Sequence, residues 1–334
     1  MQNDNEIKLN FGGGKNGVAP TLSTPILFHT FNRLDTTQRV FNAIRQVQPK
    51  QLFVSADGPR LNRQGEREQC EQARAIIKQV DWDCEVKTLF RDENLGPGLA
   101  VSSAITWFFE HVEEGIILED DCLPGNSFFR FCEEMLEKFR DDKRIMTVSG
   151  GNNMETWKPE QHDYFFSRFA SIWGWATWRR AWQHYDYSMK LWNQPGAVDA
   201  IKNVSITKKS FKKRCRHYSN VYKGKTSTWD YQWAFATYTN SGLAVIPSKN
   251  LTLNIGFNNN ATHTIIYSPV FNMPIMELNF PLRENPFIVH DDEFAKRVMR
   301  RMAMTWRRKL AAFLRSNQKR QMLRNFVQRI INKD

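Results

Sequence analysis

Between residues 24 and 149, short and almost wholly apolar runs alternate with longer helical patterns, and this alternation limits the fold more than any other feature. The runs lie at 26–31, 51–56, 84–90 and 115–118, and helical patterns fill 36–46, 64–79 and 99–111 between them. Strands apolar along their whole length have both faces covered, and strand–helix alternation at these lengths builds a mostly parallel sheet. Each run ends in a polar cluster: His29 to Arg33, Asp57 to Arg60, Arg91 to Gly98, and Glu119 to Asp121. Ligands of such sheets bind at the carboxyl ends of the strands, so the four clusters mark one candidate rim.

The second half of the chain is less regular. The pattern predicts a helix over 128–139, a strand over 145–149 ending in Gly150-Gly151-Asn152-Asn153, and an aromatic-dense stretch over 165–182. A polar, linker-like region over 193–225 precedes Trp229-Asp230-Tyr231-Gln232-Trp233, which opens an apolar helix, and a strand follows at 243–247. The first twenty residues, with Gly12-Gly13-Gly14-Lys15, read as a loose arm.

Charge and cysteine usage exclude several classes. The net charge is +12, yet residues 295–333 hold thirteen Lys/Arg and no acid, so the remainder sums to about −1. A generally basic nucleic-acid binder is thereby disfavoured, and the excess points to a local anionic partner of the tail. Apolar residues recur at helical spacing from Phe294 to Ile331, the pattern of a helix lying on an anionic membrane, or of a helix packed on the body with a solvated basic face. The five cysteines are odd in number and form no CxxC pair, which supports neither a disulfide scaffold nor a zinc site.

Glu119-Asp120-Asp121 is the sharpest chemical feature. Three adjacent carboxylates repel one another, and the repulsion needs a cation or hydrogen-bond donors to offset it. Magnesium-like ions take one or two carboxylates and complete their shell with phosphate oxygens. An ordinary turn or helix cap uses the same residue types.

The ordered series PILFHTFNR, VSADGPR, LFRDENLGPGLA, EEGIILEDD and VSGGNN resembles the GT-A class of nucleotide-diphospho-sugar glycosyltransferases. The EDD form and the later Trp-Asp-Tyr are similar to its N-acetylglucosaminyltransferase I-like branch and bacterial relatives. The resemblance covers 24–153 with its main motifs and extends more weakly to His263. It implies a Rossmann-like α/β fold: one mostly parallel sheet flanked by helices over 23–290, with a donor half to 153, an acceptor half from 154, and a basic helical extension over 291–334. It implies Mn²⁺ or Mg²⁺ on Asp121, completed by His263. Glu119 would lie at the donor's ribose and Asp120 at its sugar, with Asn152 beside it. Arg33 would contact the nucleotide, Asp57 the base (uracil, hence a UDP-sugar), Arg91 the diphosphate, and Asn94 with Gly96 would shape the donor loop.

An inverting transfer needs a general base, and Asp230, at a helix start among aromatic rings, is the candidate; the same Asp also suits a helix cap. Trp173 and Trp175 are candidates to stack on an acceptor sugar, or else members of the core. The expected activity is metal-dependent transfer of a sugar to a glycan or lipid-linked glycan, in the cytoplasm at the inner face of the plasma membrane. A sugar-1-phosphate nucleotidyltransferase and a non-catalytic adaptor with a degenerate site are the alternatives. The first usually carries a glycine-rich loop after its first strand, where this chain has Phe31-Asn32-Arg33-Leu34-Asp35.

Overall fold

The computed structural model describes residues 21–256 and 273–301. The loose arm, His263 and the tail beyond 301 lie outside the described residues. An eight-stranded sheet spans the molecule in the order β3-β2-β1-β4-β8-β6-β9-β7. Its first four members are β1 (Ile26–Thr30), β2 (Gln51–Ala56), β3 (Glu85–Phe90) and β4 (Glu114–Glu119), all mutually parallel. The others are β6 (Ile145–Ser149), β7 (Tyr164–Ser167), β8 (Trp175–Trp178) and β9 (Leu243–Pro247). Strand β8 runs antiparallel to both β4 and β6, and β7 runs antiparallel to β9, so the sheet is mostly parallel with two reversed strands. The donor and acceptor halves expected from the sequence therefore share one sheet.

Burial alternates along the central strands, and that alternation explains their unbroken apolarity. Ile26, Phe28, Leu52, Val54, Ile116 and Leu118 face one core, built with helices α1 (Leu34–Val47) and α4 (Asn126–Lys138). Leu27, Phe53 and Ile117 face the opposite core, with α3 (Gly96–His111) and a cluster of Trp175, Trp182, Trp229 and Trp233. A pleated strand presents successive side chains to opposite faces, so a sheet covered twice needs apolar residues at every position.

Several boundaries differ from expectation. The helix expected over 64–79 is α2 (Glu66–Arg74) followed by a 3₁₀ turn (Ala75–Gln79), a common tightening at a helix end. Helix α3 starts at Gly96 rather than 99, with Pro97 in its first turn, where a missing N–H costs nothing. The region expected to be a linker is folded. Apart from the short α5 (Arg179–Trp182), the helices here are α6 (Ala197–Asn203), α7 (Lys208–Tyr222) and α8 (Asp230–Thr239). Thr207 and Ser210 close a capping box at the start of α7. Phe211, Cys215, Tyr218 and Val221 form its inner stripe, packing with Ile201 and Phe235. That stripe has helical spacing, but dense lysines hide it.

A two-stranded antiparallel ribbon joins β5 (Cys122–Pro124) to β10 (Thr252–Asn254). The basic extension also begins differently. Residues 292–301 are helical (α9), and Phe294 and Val298 bury against Trp157, Phe165 and Ile246, so the segment's start belongs to the body. No described helix is long and apolar enough to cross a membrane.

Candidate active site

The carboxyl edge of the parallel strands gathers the polar clusters as expected, but their side chains bind chiefly one another. Asp57 is buried at the end of β2, and both carboxylate oxygens are filled. Oδ1 accepts from the backbone N–H groups of Gly58 and Leu95, each at 2.9 Å. Oδ2 accepts from Gly96 N–H at 3.0 Å and Asn94 Nδ2 at 2.9 Å. A carboxylate offers about four lone-pair sites, so Asp57 pins the loop into α3 instead of reading a base, and Asn94 and Gly96 are parts of that pin. Burial raises the Asp57 pKa, and the backbone donors and Arg91 act against the rise.

Arg33 does not stand free for a nucleotide. It lies between two members of the acidic triplet, paired with Asp120 and bonded to Asp121 Oδ2 at 3.0 Å. Arg91 donates to Ser103 Oγ at 2.8 Å, and its charge reaches His29 and Asp57. Glu119 and Asp120 both titrate above the ordinary carboxylate range. Burial is the main cause for each, with the neighbouring carboxylates adding to the rise and Arg33 opposing it. Glu119 also feels the charge of Asp230 at the start of α8.

Sequence reasoning placed His29 in the first polar cluster but gave it no role. It is registered between Ser55 on β2 and Glu119 on β4, with Nδ1 2.8 Å from Ser55 Oγ. Burial, then the charges of Arg91 and Arg33, push its pKa down to about 4. The ring is thus a neutral hydrogen-bonding group directly beside Glu119. Its signal in the sequence was a polar residue inside an otherwise apolar strand.

Asp230 lies in the first turn of α8, while the N-cap position is Trp229 and no side chain caps the helix. The carboxylate is hydrogen-bonded by the Thr228 hydroxyl. The preceding residues touch the donor loop: a methyl group added at Gly98 would meet Thr228 N and Ser227 Oγ at 2.8 Å. Glycine at 98 is what lets the two segments close together. Asp230 also lines a cavity of about 170 Å³ with Arg168, Ile172, Tyr231, Trp233 and Tyr238. A larger cavity of about 350 Å³ lies by the edge strand β7, among Trp157, Phe165 and His290, and contains no residue of the acidic rim.

Three expected contacts are corrected. Asn152 is fully buried, and its amide is spent on the Pro247 and Ser248 carbonyls at 2.9 and 3.1 Å and on Met154 N–H at 2.9 Å. It ties the end of β6 to that of β9 rather than facing a sugar. Trp175 is a core residue, 1% exposed and stacked on Trp229 at 5.6 Å. Trp173 is half-buried against the core of the other face, and the cavity beside Asp230 is lined by Ile172 and Trp233 instead.

The fit to a divalent cation rests on Asp121. Among the described residues no three His, Cys, Asp or Glu side chains converge as a cage. Asp121 is nevertheless approached by bare backbone: Ile255 N–H bonds its carbonyl at 2.7 Å, and a Cβ at Gly256 would fall 2.4 Å from its Oδ2 and 2.7 Å from Arg33. One carboxylate, bonded by Arg33 at Oδ2 and by the Cys122 thiol at Oδ1, would suit an ion that draws its other ligands from phosphate oxygens and water.

No protein-family model matches the chain, and no curated protein matches it. Among solved structures, HddC from Yersinia pseudotuberculosis is 10% identical with a TM-score of 0.29, covering 47% of this chain and 77% of its own. The 4-diphosphocytidyl-2C-methyl-D-erythritol synthase from Anaerococcus prevotii is 7% identical with a TM-score of 0.37, covering 69% and 93%. The inositol-1-phosphate CTP transferase from T. maritima is 8% identical with a TM-score of 0.36, covering 68% and 86%. Likenesses this distant carry no argument about activity.

Proposed function

We propose that this chain is a transferase acting on a nucleotide-activated donor, and specifically an inverting glycosyltransferase. The observation carrying the proposal is an acidic rim at the end of β4 with Asp230 near enough for its charge to act on Glu119. In this reading the donor's diphosphate lies at Asp121 and its sugar reaches toward Glu119 and the neutral His29. Asp121 would hold a divalent cation, which would supply positive charge against the charge that develops on the leaving diphosphate. Arg33, beside Asp121 and paired with Asp120, would add positive charge at the diphosphate. Asp230 takes the proton from the acceptor hydroxyl as that oxygen attacks the anomeric carbon. The bond from that carbon to the diphosphate oxygen breaks with its electron pair, and configuration inverts.

Nucleotidyl transfer to a sugar phosphate is the second reading, since an acidic rim that holds a metal and phosphate oxygens would serve it as well. Two features favour glycosyl transfer. The connection from β1 to α1 is only Phe31-Asn32-Arg33, with no glycine. A phosphate nucleophile is already anionic and has no need of a base such as Asp230, whereas a hydroxyl does. Attachment of the basic extension to an anionic membrane at the cytoplasmic face, a UDP-sugar donor and a glycan or lipid-linked glycan acceptor complete the proposal.

The test is product analysis with Mn²⁺ or Mg²⁺ and a panel of nucleotide-sugars. Free nucleoside diphosphate with a glycosylated product supports the proposal. Pyrophosphate exchange between nucleoside triphosphate and sugar phosphate would favour the second reading, and neither reaction would leave a binding protein.

A further inference from the structure

The acceptor side of the cleft carries cations that the protein does not neutralise. Arg168 follows β7 and lines the 170 Å³ cavity that Asp230 also lines. Its Nε is buried without a hydrogen-bond partner, and among the described residues the side chain has no acidic partner. Leaving a guanidinium donor unmet in a partly buried pocket is costly unless a ligand completes it. Helix α7 forms the neighbouring wall: Arg214 stacks over Phe169 and Tyr238, and His217 stacks on Tyr231, whose rings border the cavity.

The charge distribution around α7 is lopsided. Residues 200–229 contain nine Lys/Arg and no Asp or Glu, and none of the nine makes an ion pair among the described residues. The sum of charges outside the tail is near zero only because acids elsewhere cancel this block. Lys208, Lys209, Lys212, Lys213 and Arg216 are exposed. A cationic wall leading to a concave site concentrates anionic ligands there.

We infer that the acceptor is an acidic saccharide, whose carboxylate or phosphate group is bound by Arg168 in the cavity beside Asp230 while further anionic groups follow the α7 face. The inference rests on the glycosyl-transfer reading, in which this cavity holds the acceptor. A guanidinium fork matches either oxyanion through two parallel N–H donors, and it holds the sugar in one orientation toward Asp230.

The test measures binding without donor, so it reads the cavity alone. Phenyl β-glucoside, phenyl β-glucuronide and phenyl β-glucoside 6-phosphate are titrated calorimetrically into the full chain at millimolar concentration. The expected result is at least about tenfold tighter binding of one or both charged probes, lost in Arg168→Gln and partly kept in Arg168→Lys. Which charged probe binds better separates carboxylate from phosphate. Should Arg168→Gln fail to fold, the unaltered protein still decides: added salt must weaken the charged probe and leave the neutral one unchanged. Equal binding of all three probes, no binding of any, or a charge preference surviving in a folded Arg168→Gln protein overturns the inference. So does attachment to anionic vesicles without discrimination among the probes, which would assign α7 to a lipid surface. Pyrophosphate exchange alongside a retained charge preference would instead sink the glycosyl-transfer reading and leave the anion site standing.

Discussion

Along the carboxyl edge of β1, β2 and β4, ionised side chains are tied to partners within the protein. Asp57 takes four donors, Arg33 holds Asp120 and Asp121, and Glu66 is enclosed by Arg60 and Asn32. By contrast, α7 and the end of β7 leave Arg168 and a row of lysines without acidic partners among the described residues. The first region has the character of a preorganised cradle, in which each group is already oriented before a ligand arrives. The second is completed only when something negative enters it. Position in the fold accounts for the contrast. The strand ends sit over two packed cores, where an unpaired charge is expensive, while α7 is a surface helix whose lysines keep their heads in water.

That contrast can be broken or sharpened experimentally. The largest effect is expected at Asp230, which the fold uses lightly. Asp230→Asn should slow transfer by about 10²–10⁴-fold while leaving the melting temperature near that of the parent. A protein with unimpaired turnover would remove the base from the mechanism.

Trp175 should behave in the opposite manner. Replacement by Ala is expected to cost about 3–5 kcal/mol of stability, read as a lower denaturation midpoint. Unchanged stability with weakened acceptor binding would return Trp175 to the acceptor site.

His29 offers a pH test of the cradle. Its pKa falls from 6.5 to about 4 on folding, so between those values the unfolded chain binds a proton that the native ring does not. Its contribution is therefore complete above pH 6.5, declines as pH falls toward 4, and levels off below. The full swing amounts to about 3 kcal/mol. The stability difference between the parent and His29→Gln, followed across that window, isolates it from the carboxylates. A difference that does not change with pH would mean that the ring titrates alike in the folded and unfolded chain.

The smallest effect is expected at Asp57. Asp57→Ala strands the Leu95 and Gly96 N–H groups and should cost about 1–3 kcal/mol, with faster amide exchange at those two residues as the local signature. Loss of nucleotide selectivity at unchanged stability would instead restore a role in reading the base.

Much of the donor half was legible because its determinants are local. The strands at 51–56 and 145–149 appear at the expected bounds, since apolar runs flanked by turn residues carry their own punctuation. The acceptor half was harder. Helix α7 reads as polar linker because lysines outnumber its apolar stripe, and Arg168 has no local motif at all. Its signal is the lack of an acidic partner, which a sequence does not display. The tryptophans mislead for a related reason: Trp173 and Trp175 are two positions apart, yet the positive φ of Gly174 and the path of β8 send one toward each core.

The sequence alone determined the layered α/β sheet, the four polar strand ends and the acidic triplet, because burial with a period of two and strand-end turns act over a few residues. Tertiary structure decided which charges are neutralised and which await a ligand. Pairing Arg33 with Asp120 spans 87 residues, and the charge of Asp230 reaches Glu119 across a still longer stretch of chain. Coulomb interactions and hydrogen bonds depend on distances in space, and those exist only once the chain has closed.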